Sequence, residues 1–76
     1  MVTMYKEAKW KIAVYGGEPH ARPHYHIEGP DFRCSIDILT SEKIIGDAPK
    51  KVLAAAIAWA SENAGMLLAK YEELNA

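Results

Sequence analysis

The amino-acid sequence predicts an α+β domain: an antiparallel meander of three main strands and a short fourth, followed by a C-terminal helix pair that breaks near residues 63–65 and packs on one face. Three observations carry this. Apolar and polar residues alternate with period two from Lys9 to Leu39, glycines and prolines cut that stretch into strand-sized lengths, and from Asp47 onward the apolar spacing becomes three and four. At 76 residues, 50% of them apolar, the chain can build one core and is expected to be a single domain over residues 1–76.

Met1 to Glu7 shows no clear period and is expected to be a loose lead-in, with a turn at Lys6 to Ala8. Alternation then places Trp10, Ile12 and Val14 on one face of a strand and Lys9, Lys11, Ala13 and Tyr15 on the other, until Gly16 and Gly17 end it. A loop from Gly16 to Arg22 leads to Pro23, which fixes its own backbone and pushes Arg22 towards extended geometry. In the second strand His24, His26 and Glu28 share one face, and Tyr25 and Ile27 the other. Gly29-Pro30-Asp31 suits a type I turn. The third strand, Phe32 to Leu39, separates Phe32, Cys34, Ile36 and Ile38 from Arg33, Ser35 and Asp37. With Pro30 and Asp31 as the turn residues, Glu28 pairs with Arg33, His26 with Ser35, His24 with Asp37, Ile27 with Cys34, and Tyr25 with Ile36. A slip of one residue would mix the two faces, so this register is strongly specified.

Thr40-Ser41-Glu42 marks a second turn, and Lys43 to Ile45 a short fourth strand ended by Gly46. Asp47 suits a helix N-cap and Pro49 a first turn, after which Leu53, Ile57, Ala60, Ala64, Leu67, Tyr71 and Leu74 form an amphipathic stripe. A single helix to Asn75 would be roughly 40 Å long at 1.5 Å per residue. Short strands cannot support that length, so a break is expected at Asn63 and Gly65.

All three histidines fall between His20 and His26. If the apolar residues face the core, His24 and His26 face outwards beside Lys9, Lys11, Tyr15, Glu28, Arg33, Ser35 and Asp37. Three chemistries fit that face. In a catalytic one, His24 is a base oriented by Asp37 and His26 or His20 is the acid, with His20, Arg22, Lys11 and Arg33 available to bind a phosphate. In a metal site, His20, His24 and His26 supply three nitrogen donors of the kind zinc takes. Zinc is not the favoured occupant, because His20 depends on a glycine- and proline-rich loop and Cys34 points to the core, and the cofactor stays unknown. In the third, the face is a solvated sheet surface whose ion pairs contribute about 0.2–1 kcal/mol each. Whether the protein is an enzyme is left open.

A formal net charge of −1 gives no global attraction for nucleic acid, so nucleic acid could bind only through a local patch. The single cysteine rules out an intramolecular disulfide and fits a reducing cytoplasm, the expected location. No apolar run has the length of a membrane span, so no membrane association is expected. A core this small favours burying exposed apolar surface in a dimer or against a partner protein.

His20-x-x-Pro23-His24-Tyr25-His26, the strand Cys34-Ser35-Ile36-Asp37-Ile38, Gly46-x-x-Pro49-Lys50-Lys51 leading to Trp59, and Leu67-Leu68 followed by Tyr71 stand in order along the chain. In these marks the segment from Ile12 to Leu74 resembles a family of small bacterial proteins known as domain of unknown function 4160. The chain has Pro19 where that family usually has an acid, Arg22 where it has proline, and Tyr71 where it has tryptophan. The resemblance implies an antiparallel sheet followed by helices. It also implies a gene that often lies beside another small gene in mobile or accessory regions, in an arrangement of the toxin-antitoxin kind. The partner so implied is a protein, either the neighbouring gene's product or a second copy, and no chemistry is implied.

Overall fold

The computed structural model describes residues 1–17 and 22–76. Five strands run β1 Val2–Lys6, β2 Lys11–Val14, β3 His24–Glu28, β4 Arg33–Asp37 and β5 Lys43–Asp47, followed by helices α1 Lys50–Glu62 and α2 Ala64–Leu74. They form one antiparallel meander in the order β1-β2-β3-β4-β5. The α+β architecture is as expected, with one more strand than the sequence signals. That strand, β1, lacks a clean period because Met4 is an extra residue, a bulge between the pairs Thr3–Ala13 and Tyr5–Ile12, so that Met4 and Tyr5 both pack on the core.

The β3–β4 hairpin has the expected register at every position, from His24 opposite Asp37 to Glu28 opposite Arg33. Gly29 N–H donates to Phe32 O at 3.0 Å and closes the Pro30-Asp31 turn. The β1–β2 hairpin closes in the same way, Glu7 N–H donating to Trp10 O at 2.8 Å. Because β2 and β3 are neighbours, these two hairpin tips lie side by side at one end of the sheet.

Ile12, Val14, Tyr25, Ile27, Cys34 and Ile36 form the buried face, and Ala56, Ala60, Leu67 and Tyr71 of the helices complete the cluster. Ala56 and Ala60 are the buried residues of α1, and Trp59 stacks on Tyr5 with ring centroids 4.9 Å apart. The helices meet at 84°. Asn63 makes the break: its N–H donates to Ala60 O at 3.1 Å and its Nδ2 to Trp59 O at 2.8 Å, closing α1, while its own carbonyl accepts Leu67 N–H at 3.0 Å to start α2. Gly65 falls inside α2 and plays no part in the turn. Asp47 is not the helix cap that its position suggests. It ends β5 opposite Arg33 and accepts the Ala48 N–H, and Pro49 stands at the N-cap. Among the described residues no single helix is long and apolar enough to cross a membrane.

Tyr25 is buried in this core, and its hydroxyl has no hydrogen-bond partner among the described residues. Burial pushes its pKa well above the usual tyrosine value. A buried hydroxyl without a partner carries its desolvation cost uncompensated. Tyr25→Phe is therefore expected to leave stability unchanged or raise it by about 1 kcal/mol, read from the urea unfolding midpoint. A clear loss would show that the hydroxyl is bonded.

Candidate functional site

Strand alternation brings Ala13, His24, His26, Ser35 and Asp37 to the sheet face opposite the apolar one, but this face is not open. His24 and His26 are 4% and 7% exposed, and Ser35 and Asp37 are as deeply buried, against the expectation of an outward histidine pair. Their cover comes from aromatic rings. Tyr15 lies edge-on to His26 with centroids 4.7 Å apart, His26 and His24 are 5.1 Å apart, and Tyr71 from α2 lies 5.5 Å from His24. Asn75 holds this arrangement together by donating from Nδ2 to Tyr15 O at 3.1 Å and to Tyr71 O at 2.9 Å. Nothing in the sequence singles out Asn75, because its role depends on a contact sixty residues away along the chain. Tyr15 stands on the histidine face, where alternation puts it.

Asp37 is a turn anchor. Its Oδ1 accepts Leu39 N–H at 2.7 Å and Thr40 N–H at 3.0 Å, the local pattern by which an aspartate builds a turn. Its Oδ2 accepts Arg22 Nε at 2.8 Å, and a second guanidinium nitrogen lies at 2.7 Å. Burial alone would raise its pKa. The Thr40 N–H, the Arg22 guanidinium and the Leu39 N–H outweigh that effect and hold the carboxyl below the usual range.

His24 Nδ1 lies 2.9 Å from the Arg22 carbonyl oxygen. A carbonyl can only accept, so Nδ1 carries the proton in this bond, and in the neutral ring Nε2 is the basic nitrogen. His26 Nδ1 lies 3.2 Å from Ser35 Oγ. Arg22, His24 and Asp37 are thus brought together at one end of the sheet, and His26 stands at the middle of β3, lining a depression with Ser35 and Arg33.

Lys11 and Arg33 stand at the other end, roughly 13 Å away along β3 at 3.3 Å per residue. The candidate binding residues therefore do not form one set. Glu28 organises this second group: its carboxylate accepts Tyr15 OH at 2.6 Å and Arg33 Nε at 3.1 Å, with Lys11 Nζ at 3.9 Å. The Arg33 guanidinium also sits 5.3 Å from the Tyr15 ring centre. His20, the third candidate metal ligand, lies outside the described residues. Among the described residues no group of three or more histidine, cysteine, aspartate or glutamate side chains is placed to hold a metal ion. Cys34 is buried, as expected, and burial raises its thiol pKa.

The largest concentration of exposed apolar residues lies elsewhere. β5 is paired only on its β4 side, and all five of its residues are exposed. Ile45 and Ile44 are 70% and 39% exposed, and Leu39, in the loop that leads to β5, is 68% exposed.

A family model described as a domain of unknown function (DUF4160) matches residues 10–72. No curated protein and no solved structure matches the chain.

Proposed function

We propose that this chain, which belongs to the DUF4160 family, is a non-enzymatic accessory protein that acts by binding a protein partner, the product of a neighbouring gene in a two-gene module of the toxin-antitoxin kind. The observation that carries this is β5. An edge strand with exposed isoleucines presents unpaired backbone groups and apolar area to a partner segment, the surface that strand addition uses. Single exposed apolar residues are ordinary, but Leu39, Ile44 and Ile45 all lie on one hairpin. Lys43 and Asp47 flank the two isoleucines and form an ion pair at 3.4 Å.

The burial of His24 and His26 sets this reading above that of a histidine-dependent enzyme acting on RNA or another phosphate ester. A general base must come within hydrogen-bond reach of its substrate; His24 is buried against Tyr71, and His26, packed against Tyr15, only borders a depression that it shares with Ser35 and Arg33.

The test is co-expression of the tagged chain with the neighbouring gene's product. Wild type is expected to carry that product through purification. Ile45→Lys, at an exposed position, should change stability by less than about 0.5 kcal/mol yet weaken the complex at least tenfold. A wild-type chain that stays a monodisperse monomer beside that product would overturn the proposal, as would a complex indifferent to Ile45→Lys.

A further inference from the structure

We infer that the end of the sheet where the two hairpin tips meet is a binding site for single-stranded nucleic acid, independent of the β5 edge. A depression of about 640 Å³ opens there, lined by the cations Lys6, Lys9, Lys11 and Arg33 and by the aromatic side chains Trp10 and Phe32. That volume lies within the range of ligand pockets, about 300–1,000 Å³. The chain is acidic overall, so this is the kind of local patch that nucleic-acid binding would need.

The charges there are arranged at a cost to the fold. Lys6 and Lys11 are directly opposite one another in the β1–β2 ladder, and like charges in that position destabilise a hairpin. Lys9 stands in the turn between them. The two acids of the depression are already engaged: Glu7 accepts the Tyr5 hydroxyl, and Glu28 accepts Tyr15 and Arg33 and offsets part of the Lys11 charge at 3.9 Å, leaving Lys6 without such a partner among the described residues. Neither Lys6 nor Lys9 makes an ion pair with a described residue. An anion bridging these lysines would relieve the repulsion.

Trp10 and Phe32 decide the class of anion. Both pack against the core, are only partly buried, and line the depression. Aromatic rings flanked by cations match unpaired bases joined by phosphates, because any base has a flat face to stack while its backbone meets the lysines. An acidic peptide would use the cations and leave the rings without a stacking partner. A duplex keeps its bases stacked on each other and so offers Trp10 and Phe32 no free base face.

The experiment is fluorescence anisotropy of a labelled twelve-nucleotide oligouridylate as a function of salt. Wild type is expected to bind at low salt, with log K falling against log salt at a slope of about −2, as for three phosphate contacts on a single strand. Lys6→Glu with Lys9→Glu should weaken binding at least about tenfold and reduce the slope by about 1.4. The same variant should be at least as stable as wild type, since Lys6→Glu places opposite charges across the ladder. Lys50→Glu with Lys51→Glu, which changes net charge equally at the helix start, should bind as wild type does. No binding by wild type at low salt would overturn the inference, as would equal losses in the two double variants. Equal binding of a duplex of the same length, or equal competition by polyglutamate, would overturn the assignment to single strands.

Discussion

Gly46→Ala is expected to destabilise the protein by about 3 kcal/mol, lowering the midpoint of thermal unfolding by roughly 15 °C in a domain of this size. Gly46 has a φ of +82°, which costs an L-residue about 1–2 kcal/mol. Its position adds a second cost. A Cβ there would collide with the Arg33 carbonyl oxygen and come within 2.9 Å of the Cys34 Cα, and neither backbone atom can move without opening the β4–β5 ladder. Gly17 is the control, with a φ of +70° and nothing within 4 Å of a built Cβ. Gly17→Ala should therefore cost only the conformational part, about 1 kcal/mol. Equal effects of the two substitutions would show that β4 does not crowd Gly46. Because Gly46 lets β5 approach β4, it also holds the edge strand on which the proposed partner would dock.

The second large effect is expected at Asp37. Asp37→Ala removes the acceptor of two backbone N–H groups and of the Arg22 guanidinium, and should cost about 3 kcal/mol, at about 1.5 kcal/mol for each of the two backbone bonds to the carboxylate. Arg22 is half-exposed and regains water, so the loss falls mainly on the turn that Leu39 and Thr40 make. The same bonds make the contribution depend on pH. The folded pKa of Asp37 is depressed, so its stabilisation is complete above the unfolded carboxylate value and is lost as pH falls through the folded one. Wild type should lose stability below about pH 4, and Asp37→Asn, with nothing to protonate there, should lose less over that window. Parallel unfolding curves of wild type and Asp37→Asn against pH would contradict the role given to this carboxylate.

What the sequence makes legible, and what it hides, follows from the range of the interactions involved. The β3–β4 register is legible because the Pro30-Asp31 turn and two clean alternations are local signals that agree. The break at Asn63 is legible for a similar reason, a polar residue interrupting a helical stripe. β1 is hidden because the Met4 bulge breaks the period, and the length of β5 is hidden because Ile44 is an extra residue between the pairs Ser35–Ile45 and Ile36–Lys43. Asp47 carries a helix-start signal but is claimed by pairing with Arg33, a choice made across the sheet.

At the histidines, alternation assigns the face but not its cover. Burial there depends on Tyr71, which folds back from the last helix, and on Tyr15 across the sheet. Asp37 opposite His24 was legible as a pair of positions. Its bonds to Arg22 and to the following turn were not, because they depend on how the chain enters β3 and leaves β4.

The proposal that β5 is the working surface is tested most directly by amide hydrogen exchange, comparing the chain alone with the chain in complex with the neighbouring gene's product. An added strand would place new hydrogen bonds on the open side of β5. Exchange at residues 43–47 is therefore expected to slow on binding, while that of β2 and β3 in the middle of the sheet stays the same. A complex in which β5 exchanges as fast as in the free chain, with protection appearing on another surface instead, would contradict it.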